Sequence, residues 1–194
     1  MKRIILSLIF VINITTIQSQ TKNDVLNLNN PNLELLDSLL FKEAMIQRKL
    51  NNKRVIEKDY ICGLAAKYQS EYMSYYNSFS HENTNEFKGV LLKEHYERFD
   101  YFKKKTNSKV KYRTFHEILT MLNGLETTEY IGLVSKTYEN YAQVLIGYFM
   151  TSKSHKSALL YDVDSGKMVC NFKTHYNQKT KSLYVTGFYS FVGK

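Results

Sequence analysis

The apolar residues of this chain change their spacing once, and that change limits the folds open to it. Through the first three quarters they recur every three or four residues, the period of one face of a helix. Leu33, Leu36, Leu40 and Ala44 make the first such stripe, with Asn30 placed to cap it and Pro31 at its first position. A second helix is predicted over Lys58 to Asn77, with Ile61, Ala65, Tyr68 and Tyr72 on one side. A basic, aromatic third helix fits Val90 to Lys105. A fourth fits Ser135 to Thr151, where Tyr138, Tyr141, Ala142, Leu145 and Phe149 share a face. After residue 166 the period falls to two. Met168, Cys170, Phe172 and Thr174 alternate with Val169, Asn171, Lys173 and His175, and Ser182 to Phe191 alternates again beyond an Asn177–Thr180 turn. That is an antiparallel hairpin, preceded by a turn at Asp164-Ser165-Gly166. Helices first and strands later predict an α+β domain with helices packed on a small antiparallel sheet.

The first residues belong to a different kind of segment. Lys2 and Arg3 precede an apolar run from Ile4 to Ile12, and Ser19 offers a small residue for cleavage. Residues 1–19 therefore read as a secretory signal peptide, too short to span a bilayer. Residues 20–32 are polar and Asn-rich and read as a linker, and the domain is expected over 33–194. No later segment is apolar enough to cross a membrane, so the exported chain is expected in the periplasm or outside the cell. The whole chain has 194 residues, enough for one domain. One Pro and 8 Gly argue against disorder.

Export governs the reading of charge and cysteine. Without Lys2 and Arg3 the net charge of +9 falls to +7. A cell wall or membrane surface is a fitting anionic partner. The basic residues are scattered, with Lys103-Lys104-Lys105 the longest run, and carry no interleaved base-reading side chains; they read more simply as a solvated basic face, and nucleic acid is not expected as a partner. Export permits a disulfide between Cys62 and Cys170. Each also sits in its own apolar pattern, which favours two buried free thiols.

Candidate chemistry rests on histidines and one carboxylate. His81 follows the second helix, Glu117 lies in His116-Glu117-Ile118-Leu119, and His155 is read as closing the fourth helix. His95 and His175 have no motif around them and read as surface residues. There is no paired-histidine metalloprotease helix, nucleophile elbow, phosphate loop or dinucleotide fingerprint. Taken alone, each candidate is an ordinary surface or capping residue.

Their order, however, resembles the CAP superfamily of cysteine-rich secretory, antigen-five and pathogenesis-related proteins, also called the SCP domain, in its bacterial single-domain form. In that family a first helix is followed by a second that ends in a histidine, here Leu33–Leu50, Asp59–Asn77 and His81. A Gly-Glu-Asn-Ile type segment follows, matched by His116-Glu117-Ile118-Leu119. Next comes a helix ending in Trp-Met-x-Ser-x-x-His, matched by Phe149-Met150-Thr151-Ser152-Lys153-Ser154-His155, and then a β-meander. The likeness covers roughly residues 33–191. This chain departs from the family in having Phe149 for the Trp, His116 for the Gly, Ile118 for the Asn, and Ser152 where many members place a second glutamate. The resemblance implies an α-β-α sandwich and a cleft in which His81, Glu117 and His155 converge, with Ser152 as a neighbour. Two imidazoles and a carboxylate then suit a divalent metal such as Zn²⁺. Glu117 serves there either as a ligand or as an outer group that orients a histidine or holds a bound water. Two functions stay open: a binding module for a lipid, a small apolar ligand or a cell-envelope component, or a metal-dependent hydrolase of peptide or ester bonds.

Overall fold

The computed structural model describes residues 20–123, 136–163 and 166–193. The expected leader therefore lies outside the described residues, as do Ser135, Asp164 and Ser165. In chain order the elements are α1 (Leu33–Leu50), β1 (Glu57–Lys58), α2 (Tyr60–Tyr76), α3 (His95–Lys105), β2 (Tyr112–Leu122), α4 (Tyr138–Thr151), α5 (Lys153–Leu159), β3 (Lys167–Asn177) and β4 (Ser182–Val192). The strands form one sheet in the order β1-β3-β4-β2. β4 is antiparallel to both β3 and β2, while the two-residue β1 joins β3 in parallel.

The helices cover both faces of this sheet. Leu36 and Leu40 of α1 pack with Tyr141, Leu145 and Phe149 of α4 on Cys170, Phe172 and Tyr189. Ile61, Cys62 and Ala65 of α2 pack with Phe99 of α3 on Val169 and Phe188. Neighbouring residues of β3 and β4 thus enter different cores, as the pleat requires. With both faces covered, β4 is buried from Ser182 to Ser190. The architecture is an α-β-α sandwich of mixed class, as expected. At the centre of the sheet Gly187 is fixed by space: a Cβ there would lie 2.7 Å from Phe172 Cε1 and 2.8 Å from Ile118 Cγ1.

Local chemistry sets the helix ends, and several differ from expectation. Asn32, not Asn30, caps α1, because its side chain accepts from the Leu35 amide at 3.0 Å while its own amide donates to the Tyr138 hydroxyl at 2.8 Å. Asp59 caps α2 by accepting from the Cys62 amide at 2.8 Å, which leaves Lys58 to the sheet. α2 ends at Asn77, in the left-handed region at φ 48°. α3 begins at His95 rather than near Val90, where Glu94 and Glu97 form a reciprocal capping box. The fourth helix does not run on to His155. Ser152 turns extended at ψ 124°, and His155 belongs to the first turn of a separate α5. The segment 20–32 makes contacts of its own: Leu26 is buried, its amide donates to the Lys136 carbonyl, and Val25 bridges Thr137.

Two buried charged groups tie the layers together. Arg48 of α1 donates to the carbonyls of Arg54, Leu159 and Tyr161 at 2.7–2.8 Å. Asp37 of α1 accepts from the amide and hydroxyl of Thr174 at 2.8 Å and from Lys173 at 2.9 Å. Cys62 and Cys170 are both buried free thiols, and burial pushes both thiol pKa values up. Among the described residues no helix is long and apolar enough to cross a membrane.

Candidate functional site

Glu117 sits in the middle of β2, opposite Phe188 of β4, and so shares the α2/α3 face of the sheet. Its side chain is only 1% exposed. A carboxylate at that depth needs a partner, and Arg98 of α3 supplies it. One guanidinium nitrogen of Arg98 donates to both carboxylate oxygens at 2.9 Å. The same nitrogen donates to the His81 carbonyl at 2.8 Å, and its sister nitrogen reaches the Leu92 and Lys93 carbonyls at 3.2 and 2.9 Å. Arg98 is fully buried. It holds the loop after α2 and the start of α3 around one ion pair.

The His81 loop is fixed from both ends. Its Nδ1 lies 3.0 Å from Glu117 Oε1, and its side chain remains 50% exposed. A carboxylate only accepts, so Nδ1 is the donor in this contact. In this contact Glu117 is placed against the His81 ring. A cluster of two imidazoles with Glu117 as a third metal ligand fits this geometry poorly. Turning the carboxylate toward a cation would leave the Arg98 guanidinium buried without its counter-charge. Among the described residues no three His, Cys, Asp or Glu side chains are grouped so as to hold a metal ion.

His155 comes from the opposite helical layer. Its ring meets the edge of Phe149 at 5.4 Å between centroids. Burial first, and then the charge of His81, lower its pKa. His155 lies on α5, which packs against β2, the strand that carries Glu117. Ser152 caps no backbone amide with its hydroxyl, which lies 3.2 Å from the Ser154 hydroxyl. Among the described residues no hydroxyl or thiol is hydrogen-bonded to His81 or His155.

Two residues of the site were not picked out from sequence. Arg98 is one, and His95 is the other. His95, read as a surface residue, is half-buried at the start of α3. Burial lowers its pKa, and Glu117, Arg98, Glu94 and His81 all act on it. The signal was present, because His95, Arg98, Phe99 and Phe102 share one helical face with the buried aromatics. His116 points to the other face, where its ring lies 5.0 Å from that of Tyr161. His175 lines a groove of about 930 Å³ between the end of α2 and the β3–β4 turn, away from Glu117.

No protein-family model matches this chain, and no curated protein does. Solved structures do match it in fold. An outer surface protein from Borrelia burgdorferi superposes with a TM-score of 0.55 at 15% identity, over 80% of this chain and 92% of that one. An extracellular protein containing a SCP domain from Bacillus anthracis superposes with a TM-score of 0.57 at 15% identity, over 84% of this chain and 43% of that one. At this identity the likeness concerns the fold. The chain has the SCP-type α-β-α sandwich that the order of its motifs resembled.

Proposed function

We propose that this SCP-type fold serves as an exported binding module, resident in the periplasm or outside the cell, whose cleft takes a small ligand between His81 and His155. Export is supported by the leader pattern of residues 1–19, and the two fold neighbours are described as outer-surface and extracellular proteins. The observation that carries the binding reading is the Arg98–Glu117 ion pair. It takes up the carboxylate's charge inside the protein and leaves imidazole, in the half-exposed His81, as the polar group facing outward beside it. Such groups exchange single hydrogen bonds with a ligand. A lipid headgroup, a small amphiphile or a cell-envelope fragment presents groups of that kind.

The alternative, hydrolysis of peptide or ester bonds, needs a metal or an activated water at the same imidazoles. Calorimetry with Zn²⁺ separates the readings, run on the wild type and on His81→Ala/His155→Ala variants of checked fold. Beside it, thermal shifts are recorded with phospholipids, fatty acids and peptidoglycan fragments in the presence of a chelator. The binding reading expects a chelator-insensitive shift that the double variant weakens, with no tight Zn²⁺ site. Stoichiometric Zn²⁺ binding that needs both histidines, accompanied by metal-dependent ester or peptide turnover, would overturn it in favour of the hydrolase.

A further inference from the structure

The turn that joins α3 to β2 concentrates positive charge. Lys103, Lys104, Lys105, Lys109, Lys111 and Arg113 fall within eleven residues. The first three close the last turn of α3, where they complement the negative end of the helix. Lys109, Lys111 and Arg113 lie beyond the helix and have no such reason to be basic. The turn is compact: Asn107 is left-handed at φ 53°, the Ser108 amide donates to the Lys103 carbonyl, and the Asn107 amide donates to that of Lys104.

Sheet register gathers these charges on one end of the molecule. Tyr112 starts β2 opposite Val192 at the end of β4, and Lys167 starts β3 opposite the same residue. The Gly193 amide donates to the Lys111 carbonyl, and the Arg113 guanidinium packs over Gly193. Lys103 lies 6.0 Å over the Tyr112 ring. Lys103, Lys104 and Lys109 border a shallow concavity of about 390 Å³ whose one acidic neighbour is Asp100. Among the described residues none of the six makes an ion pair, whereas Lys167, Arg54 and Lys88 all do. Leaving this many like charges unpaired costs self-repulsion, which an anionic partner would relieve.

Apolar side chains stand among them. Val110, between Lys109 and Lys111, is 39% exposed, and Tyr60 is 70% exposed beside Asp59, which accepts the Tyr112 hydroxyl. Lysines around an exposed aliphatic tip and an amphipathic ring suit the boundary between headgroups and acyl chains. They do not suit a nucleic acid, which calls for a run of stacking rings along a basic groove. We infer that this end of the fold docks on an anionic lipid bilayer, with Val110 at the headgroup boundary and the surrounding lysines on the lipid charges. The inference rests on the export reading only for which leaflet is met, and it does not involve the His81 cleft.

The test is co-sedimentation of the protein expressed from Gln20, the residue after the expected leader, with two kinds of vesicle. One is pure phosphatidylcholine and the other contains about one-third phosphatidylglycerol, each at low and high salt. Binding is expected to the anionic vesicles alone and to fall steeply with salt. Each lysine near the surface is expected to contribute about fivefold. Lys104→Gln/Lys109→Gln/Lys111→Gln should therefore weaken binding by about a hundredfold. Val110→Asp should weaken it as well. Lys179→Gln/Lys181→Gln, at the opposite end of β3 and β4, should leave it within a fewfold. The inference is overturned by absence of binding to anionic vesicles, or by equal losses in the two lysine variants. It is also overturned if long-chain polyphosphate binds in solution while the vesicles do not. Cell fractionation tests export separately: a chain retained in the cytoplasm that still binds vesicles would refute the export reading and leave this surface standing.

Discussion

Glu117→Gln is the most informative single change. It keeps the shape of the side chain and one acceptor oxygen, and it removes the charge that faces Arg98. Both partners are almost completely buried, Arg98 at 0% and Glu117 at 1% side-chain exposure, so solvent cannot take over the counter-charge. Three backbone carbonyls still accept from the guanidinium, but they supply dipoles and no net charge. Removing one partner of a buried pair costs about 3–5 kcal/mol. For a domain of this size that is a fall in Tm of roughly 10–15 °C. Urea denaturation and calorimetry of the wild type and the variant measure it. A second variant, Arg98→Met, and the double variant complete the cycle. The double variant should be more stable than the sum of the single losses, because it removes both charges together. A loss below about 1 kcal/mol for Glu117→Gln, with additive behaviour in the cycle, would refute the claim that this ion pair organises the site.

Acid should destabilise the fold before the carboxylates titrate. Burial lowers the pKa values of His95, His116, His155 and His175. Below the ordinary histidine pKa of about 6.5 the unfolded chain therefore binds more protons than the native one, and stability falls as the pH is lowered until the folded-state values are passed. Thermal melts from neutral pH downward should show this, and His155→Asn should flatten the slope; a Tm that stays level or rises on acidification through this range would contradict it. Gly187→Ala should cost about 1–3 kcal/mol by overpacking the sheet centre, and Phe172→Leu in the same chain should restore part of the loss. Equal stability of Gly187→Ala and the wild type in urea would show that the two facing side chains give way freely. Cys62 and Cys170 should resist a thiol reagent in the native protein and both react in denaturant; rapid labelling without unfolding would refute their burial.

What could be read ahead of the structure follows from where a single physical rule governs the residue pattern. The α1 and α4 stripes and the β3–β4 hairpin were legible because each buries one regular set of positions. β2 was not assigned. Phe115, Ile118, Leu119, Met121 and Leu122 follow neither period cleanly, since this strand feeds apolar side chains to cores on both faces. The end of α4 at Thr151 was legible, but the short α5 was not, because Lys153–Leu159 carries apolar side chains only at Ala158 and Leu159. The Asn30 and Asn32 capping choices are equivalent in sequence; the Tyr138 hydroxyl, more than a hundred residues away, selects Asn32. Arg98 shows the same limit. A charged residue on an apolar helical face reads as solvent-facing until the carboxylate it meets is known, and that carboxylate lies on a strand that the spacing did not announce.

The position of β4 has a consequence for the chain before it folds. The last strand in chain order is the one on which both β2 and β3 pair and on which both helical layers close. Until its residues are available, β2 has no hydrogen-bonding neighbour in the sheet, and α2 and α3 lack much of the surface they bury. The pairing of β2 and β3 into one sheet waits for β4, and such long-range closure is slow.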